Sequence, residues 1–208
     1  MRFGLLLYED VEPIDLATVG VLSMARRIIP DISYVTLACA DEPVRLSNGL
    51  RVVADHNVQN VADLALDVLI VPGGPGWSGP GSAPEILQFL QALPRQTSLV
   101  SVCTGAMILA AAGLLEGLTA TTKVEVVAPE VPPINVLGTR YPGVDVRKAL
   151  IVDEGRIVTG GGVSLCIDAM LYVLQKHFGA ERTDEVARIL EYQSANKSNI
   201  ARFSVPVA

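Results

Sequence analysis

The chain has 208 residues, of which 50% are hydrophobic and 18% charged, and 22 acidic against 16 basic side chains leave a formal net charge of −6 at pH 7. That length suits one domain able to bury roughly 70% of the surface its unfolded form exposes, and the apolar fraction excludes a disordered chain. An acidic balance with no cluster of Lys and Arg excludes the electrostatic footprint of a nucleic-acid or anionic-membrane binder, leaving a small-molecule ligand or a protein partner.

The opening MRFGLLLYED reads as a strand over residues 3–8, not as a signal peptide, because its apolar run stops at Glu9 and Asp10 without a small-residue cleavage site. PIDLATVGVLSMARR has apolar residues at helical spacing and predicts a helix over 13–27, followed by a strand YVTLAC at 34–39. Asn48-Gly49 within VRLSNGLRVVAD predicts a hairpin, since both residues tolerate positive φ. A third strand, DVLIVP at 67–72, runs into the glycine-rich loop VPGGPGWSGPGS at 71–82, and a helix over 84–93 starts with Pro84, where a first-turn proline is tolerated.

LVSV at 99–102 predicts a further strand and passes through Cys103, Thr104 and Gly105 into an alanine-rich helical run. PEVPPINVLGTRYPG, 129–143, is rich in proline and glycine and is expected to be irregular, and ALIVDEGRIVTG predicts a hairpin turning through Asp153, Glu154 and Gly155. Helices are expected over 163–178 and 181–193, and the polar tail SANKSNIARFSVPVA is expected to be loosely ordered. Strands alternating with helices favour βαβ units and a mainly parallel sheet, so the expectation is one α/β domain spanning 1–208. No apolar run approaches the roughly 20 residues that span a bilayer, and a cytoplasmic protein is expected.

Cys39, Cys103 and Cys166 are odd in number and each more than 60 residues from the next, which suggests neither a disulfide framework nor a zinc motif, and no cofactor is called for. A cysteine at a sharp strand-to-helix turn projects above the carboxyl edge of a parallel sheet, as in a nucleophile elbow. The following helix turns unpaired N–H groups and its positive dipole end toward the sulfur, which is expected to lower the thiol pKa. The competing reading is a small core residue at a junction, because cysteine is among the most buried residue types. N–H groups of Gly74 and Thr104 are candidates for an oxyanion hole. Asp15, just beyond the first strand, either caps the first helix or reaches the same sheet edge, where a carboxyl beside a thiolate should have a raised pKa and donate its proton. Trp77 is a candidate for shaping a pocket or a dimer contact. Neither His56 nor His177 lies where a partner of Cys103 is expected, and His177, near a helix C-terminus, is placed where a cation is favoured.

IVPGGPG, VCTGAMILAAAGLLEGLTATT and VTGGGVSLCIDAMLYVL, in that order, resemble the ThiJ/PfpI superfamily of class I glutamine amidotransferase-like proteins. Within it the pattern around EPIDLATVGVL and CTG is most similar to isocyanide hydratases. The resemblance implies a flavodoxin-like three-layer sandwich, a nucleophile in Cys103, a carboxylic acid in Asp15, and commonly a homodimer. The hydratase-like and regulator-like relatives usually show ATTHW where this chain has ATTKV, with Lys123 in place of histidine; a changed entrance, an added cation beside the sulfur, and loss of the family activity are the three readings of that exchange. Protease-like relatives usually carry histidine directly after the cysteine, where Thr104 stands here. Amide hydrolysis needs an acid for the departing nitrogen, whereas hydration of an isocyanide has no departing amine. A ligand-sensing domain and glyoxalase-like or deglycase-like carbonyl chemistry are the alternatives.

Overall fold

Val, Ile and Leu in short runs, alternately facing two layers, dictate the centre of this molecule. The structure, a computed structural model, describes residues 1–61 and 64–203. Its strands are β1 (Arg2–Leu6), β2 (Ser33–Ala38), β3 (Val44–Arg45), β4 (Arg51–Val52), β5 (His56–Asn57), β6 (Val68–Val71), β7 (Ser98–Ser101), β8 (Thr119–Ala120), β9 (Asp145–Val146), β10 (Ile151–Glu154) and β11 (Ile157–Gly160). Seven of them form one sheet in the order β10-β11-β7-β6-β1-β2-β5, parallel throughout except for the hairpin β10-β11. The expected hairpin at Asn48-Gly49 is β3-β4, with Gly49 at φ 87°.

The helices are α1 (Ala17–Ala25), α2 (Pro84–Ala92), α3 (Gly105–Ala111), α4 (Pro133–Arg140), α5 (Leu165–Phe178), α6 (Ala180–Ile189) and α7 (Gln193–Phe203). Val68 and Ile70 of β6 pack into the core that holds α1, α5 and α6, while Leu69 and Val71 pack into the core that holds α2 and α3. Such period-2 partition of a strand buried on both faces is what makes its sequence a near-continuous apolar run. The result is the flavodoxin-like three-layer sandwich. β1 leads to β2 on one side, and the chain then returns to lay β6 on the other side of β1, so the loops after β1 and β6 diverge at a topological switch point. No helix among the described residues is long and apolar enough to cross a membrane.

Three expectations need correction. The region 129–143 is not irregular throughout: α4 occupies Pro133–Arg140, with Pro133 in a first turn that has no intrahelical use for its missing N–H. The expected helix over 13–27 divides into a 3-10 turn, Pro13–Leu16, and α1. The tail is ordered as α7, apart from residues 204–208, which lie outside the described residues.

Order in the tail follows from one buried carboxylate. Asp168 in the first turn of α5 accepts from Tyr192 Oη at 2.9 Å, Asn196 Nδ2 at 2.7 Å and Asn199 Nδ2 at 2.9 Å. Polar residues that looked unpatterned are thus spaced to reach a single acceptor. Asp168→Ala is expected to lower stability by about 1–3 kcal/mol, the cost of stranding such donors, and to make α7 the first site of limited proteolysis; an unchanged urea midpoint would contradict the role of this cluster.

Candidate active site

Cys103 stands where β7 ends and α3 begins, at φ 54°, a left-handed conformation that a non-glycine residue adopts at a cost. Neighbouring hydrogen bonds impose it. Val102 N–H donates to Val71 O at 3.1 Å, Cys103 N–H to Gly161 O at 3.0 Å, and Thr122 Oγ1 donates to Cys103 O at 2.6 Å. The chain is therefore held to β6, to the turn after β11 and to the segment after β8 at once. This is the nucleophile elbow expected from the sequence.

Glycine is required around it by close approach. A Cβ at Gly105 would run into Val71 O, and one at Gly73 would meet Cys103 Cβ at 2.6 Å. The N–H groups that face the sulfur are those of Thr104 and Val163. Val163 is itself left-handed at φ 57°, a true outlier for a β-branched residue, so the second donor also rests on an imposed conformation. Gly74, paired with Thr104 by sequence reasoning, has its N–H donated to Thr104 Oγ1 at 2.8 Å, while that hydroxyl donates to Gly74 O at 3.0 Å. Val163 was missed because its position follows a triple glycine whose path the sequence does not reveal.

Asp15 does not cap α1. It lies in the 3-10 turn Pro13–Leu16, wholly buried, and its Oδ2 accepts Gly73 N–H at 2.7 Å while Glu12 N–H donates to Gly73 O at 2.9 Å. That reciprocal clasp ties the loop after β1 to the loop after β6. Oδ1 has no hydrogen-bond partner among the described residues. The thiol of Cys103 is near enough to act on the carboxyl and favours its ionised form.

Burial pushes the Asp15 carboxyl up to about 7; the Gly73 N–H works against this, the charge of Glu12 adds to it, and the Cys103 thiol and Lys123 cation oppose it. Burial also pushes the Cys103 thiol up to about 12, followed by the charge of Asp15, with the N–H groups of Val163 and Thr104 and the cation of Lys123 pulling the other way. The expected lowering of the thiol by its helix is thus outweighed by desolvation. Two such groups acting on each other titrate as a pair, which gives up one proton near neutrality and keeps the second until strongly alkaline pH. Within the singly protonated pair, thiolate with carboxylic acid and thiol with carboxylate are one proton shift apart.

Above the sulfur a cavity of about 500 Å³ is lined by Glu12, Gly74, Pro75, Trp77, Cys103, Thr104, Lys123, Val126, Glu130, Val131, Pro133 and Val163. It brings together Gly74, Trp77, Cys103, Thr104 and Lys123 from among the candidate site residues, while Asp15 lies beneath. Arg140 stacks over Trp77 at 5.4 Å from the ring centre and fixes one wall. His56 in β5 and His177 in α5 are absent from this lining, and burial lowers the His177 pKa, with Lys176 next, against the dipole expectation. Cys166, buried in α5, donates to Ile14 O at 3.5 Å and feels the charges of Asp15 and Cys103, but burial is the main reason its thiol is pushed up. No group of three His, Cys, Asp or Glu side chains able to hold a metal ion occurs among the described residues.

A family model described as the DJ-1/PfpI family matches residues 2–176. The chain belongs to the DJ-1/PfpI family. It is 32% identical over 200 residues to the isonitrile hydratase of Pseudomonas putida, covering 94% of this chain and 80% of that protein. It is also 26% identical to the glutathione-independent glyoxalase DJR-1.2 of Caenorhabditis elegans, over 88% of this chain and 91% of that one. Among solved structures, a ThiJ/PfpI family protein from Pseudomonas syringae superposes with a TM-score of 0.77 at 21% identity, covering 97% of this chain and 86% of the other.

In this DJ-1/PfpI domain the coupled pair makes a pH prediction. Asp15 carries a folded-state pKa near 7 against an ordinary 3.8. Between those values the folded state holds a proton that the unfolded state has lost, so the pair's contribution to stability falls as pH rises from about 4 to about 7, is flat to about 9, and falls again above that as the unfolded thiol ionises before the folded one. Alkylation of Cys103 by iodoacetamide should rise with an inflection near pH 7 in the native protein. In Asp15→Asn that inflection should vanish and reactivity at neutral pH should drop, since no carboxylate is left to take the proton of a thiol that is still buried; superimposable profiles would contradict the coupling.

Proposed function

We propose that this DJ-1/PfpI domain is an isocyanide (isonitrile) hydratase-like lyase that adds water to an organic isocyanide, R–N≡C, and releases the N-substituted formamide. The observation that carries the reading is the Asp15 carboxyl, buried beside the Cys103 thiol and clasped to Gly73, its pKa raised to about 7 and coupled to that thiol, with no histidine lining the cavity. Such a pair supplies a nucleophile and one proton to the same carbon, which is what the first step of hydration requires and what amide cleavage does not.

In this reading the Cys103 thiolate attacks the terminal carbon and Asp15 gives its proton to that carbon, forming the thioimidate R–N=CH–S–Cys103. The Asp15 carboxylate then takes a proton from the water that adds to the same carbon. The nitrogen gains a proton, the carbon–sulfur bond breaks with its electron pair returning to sulfur, the new hydroxyl gives up its proton, and R–NH–CHO leaves. The N–H groups of Thr104 and Val163 hold the charge on sulfur whenever it is unbonded. The R group meets Pro75, Trp77, Val126, Val131 and Pro133, so an apolar substituent is favoured, and about 500 Å³ lies within the range of small-molecule pockets.

The reading includes a homodimer, supported by Ile14, Val127, Val131 and Val163, large apolar side chains left between 37% and 76% exposed. A cytoplasmic setting suits three cysteines that form no disulfide. A second reading, glyoxalase-like chemistry on a dicarbonyl at the same thiol, is favoured by the likeness to DJR-1.2.

The test offers the purified protein an alkyl isocyanide and, separately, glyoxal. Formamide should appear from the isocyanide, vanish in Cys103→Ala, and fall about tenfold or more in Asp15→Ala, equivalent to about 1.4 kcal/mol in barrier. Formamide production that survives Cys103→Ala sinks the reading, and consumption of glyoxal alone transfers it to the second.

A further inference from the structure

The hydration just described leaves one proton without a donor. Asp15 serves the carbon and lies beneath the cavity, with one oxygen committed to Gly73 N–H. The nitrogen of the bound thioimidate, one bond further out, needs its own acid when water adds, because the C=N electron pair then moves onto it. Resting on the hydratase reading, we propose that Lys123 is a catalytic residue for the second half of the reaction and gives this nitrogen its proton.

Lys123 is held where such a donor must be. The preceding residues are pinned inside the core, with Thr121 N–H donating to Thr159 Oγ1 at 2.9 Å and Thr122 Oγ1 to Cys103 O at 2.6 Å. The Lys123 carbonyl accepts Ile134 N–H at 3.1 Å, which fixes the segment against the start of α4. Its stem lies over Gly162: a Cβ at Gly162 would stand 2.7 Å from Lys123 Cβ and 3.1 Å from Cys103 Sγ. The absence of a side chain there lets the lysine stem and the sulfur share one space.

Lys123 forms no ion pair among the described residues, although Glu12 and Glu130 line the same cavity. Glu12 Oε2 instead accepts from Ser47 Oγ at 3.4 Å. Of the titratable side chains on the cavity wall, ionised carboxylates can only accept, whereas a lysine ammonium has three donors and no acceptor. The Thr104 hydroxyl, the other nearby donor, is engaged with Gly74. Lys123 also exerts its charge on both Cys103 and Asp15.

The balance closes. As the water oxygen bonds to carbon, its proton goes to the Asp15 carboxylate and the C=N pair takes a proton from the Lys123 ammonium, giving R–NH–CH(OH)–S–Cys103. The carbon–sulfur bond then breaks, its pair returns to sulfur, and the hydroxyl proton passes to the neutral Lys123 amine as R–NH–CHO departs. Acid, thiolate and ammonium are all restored.

Rapid-quench intact mass spectrometry with an alkyl isocyanide separates the two halves, because the adduct adds the mass of the isocyanide to the chain. Lys123→Met should form the adduct within about threefold of the native rate and hydrolyse it about tenfold or more slowly, so that it accumulates on Cys103. Lys123→Arg should accumulate it as well, since a guanidinium keeps the charge but does not give up a proton. A small primary amine added to Lys123→Ala should restore breakdown. Adduct decay at the native rate in Lys123→Met, full rescue by Lys123→Arg, or a loss confined to adduct formation would each overturn the proposal. A native protein that forms neither adduct nor formamide would instead overturn the hydratase reading on which it rests.

Discussion

A carboxyl group with no exposure to solvent and a thiol nearly as deep share one region of low polarity; burial raises the cost of ionising both, and the charge of Asp15 raises it further for the thiol. One negative charge is tolerable there, two are not. Everything else around the sheet edge serves to keep these groups close and buried: the Glu12–Gly73–Asp15 clasp on one side, and the bonds from Cys103 to Gly161 and Thr122 on the other. A thiol made acidic by its surroundings would need no partner. This one is pushed the other way, so its reactivity depends on the proton that Asp15 holds.

The fold makes that arrangement possible by its order of strands. β6 lies between β1 and β7, so the loops after these three neighbours meet at one edge, and β11 adds a fourth on the far side of β7. Asp15, Gly73, Cys103 and Val163 come one from each loop. Left-handed backbone at Cys103 and at Val163 is the local cost of pointing a sulfur and an N–H at each other, and the buried hydrogen bonds that flank them offset it.

Much of this was legible in the sequence because it depends on local chemistry. Short apolar runs between turn residues located the principal strands within one or two residues, Asn48-Gly49 located a hairpin, and a cysteine between a strand and an alanine-rich helix located the elbow. What the sequence did not disclose depends on contacts between distant segments. α7 exists because Tyr192, Asn196 and Asn199 reach Asp168, a link of 24 to 31 residues that no periodicity records. Likewise the engagement of Gly74 N–H by Thr104 Oγ1, the Val163 donor, and the dominance of burial over the helix dipole at Cys103 all require the tertiary neighbours. Pro133, in a segment expected to be irregular, opens α4 instead.

The chemistry of the site depends on where the Asp15 proton is. Carbon-13 NMR of protein labelled at its aspartate carboxyls, with Asp15→Asn to assign the signal, follows that group directly across the pH range. A midpoint near 7 in the native protein, moved in Cys103→Ala by removal of its thiol neighbour, is the expected result. A midpoint near the ordinary 3.8, indifferent to Cys103, would contradict the shared proton and with it the chemistry built upon it.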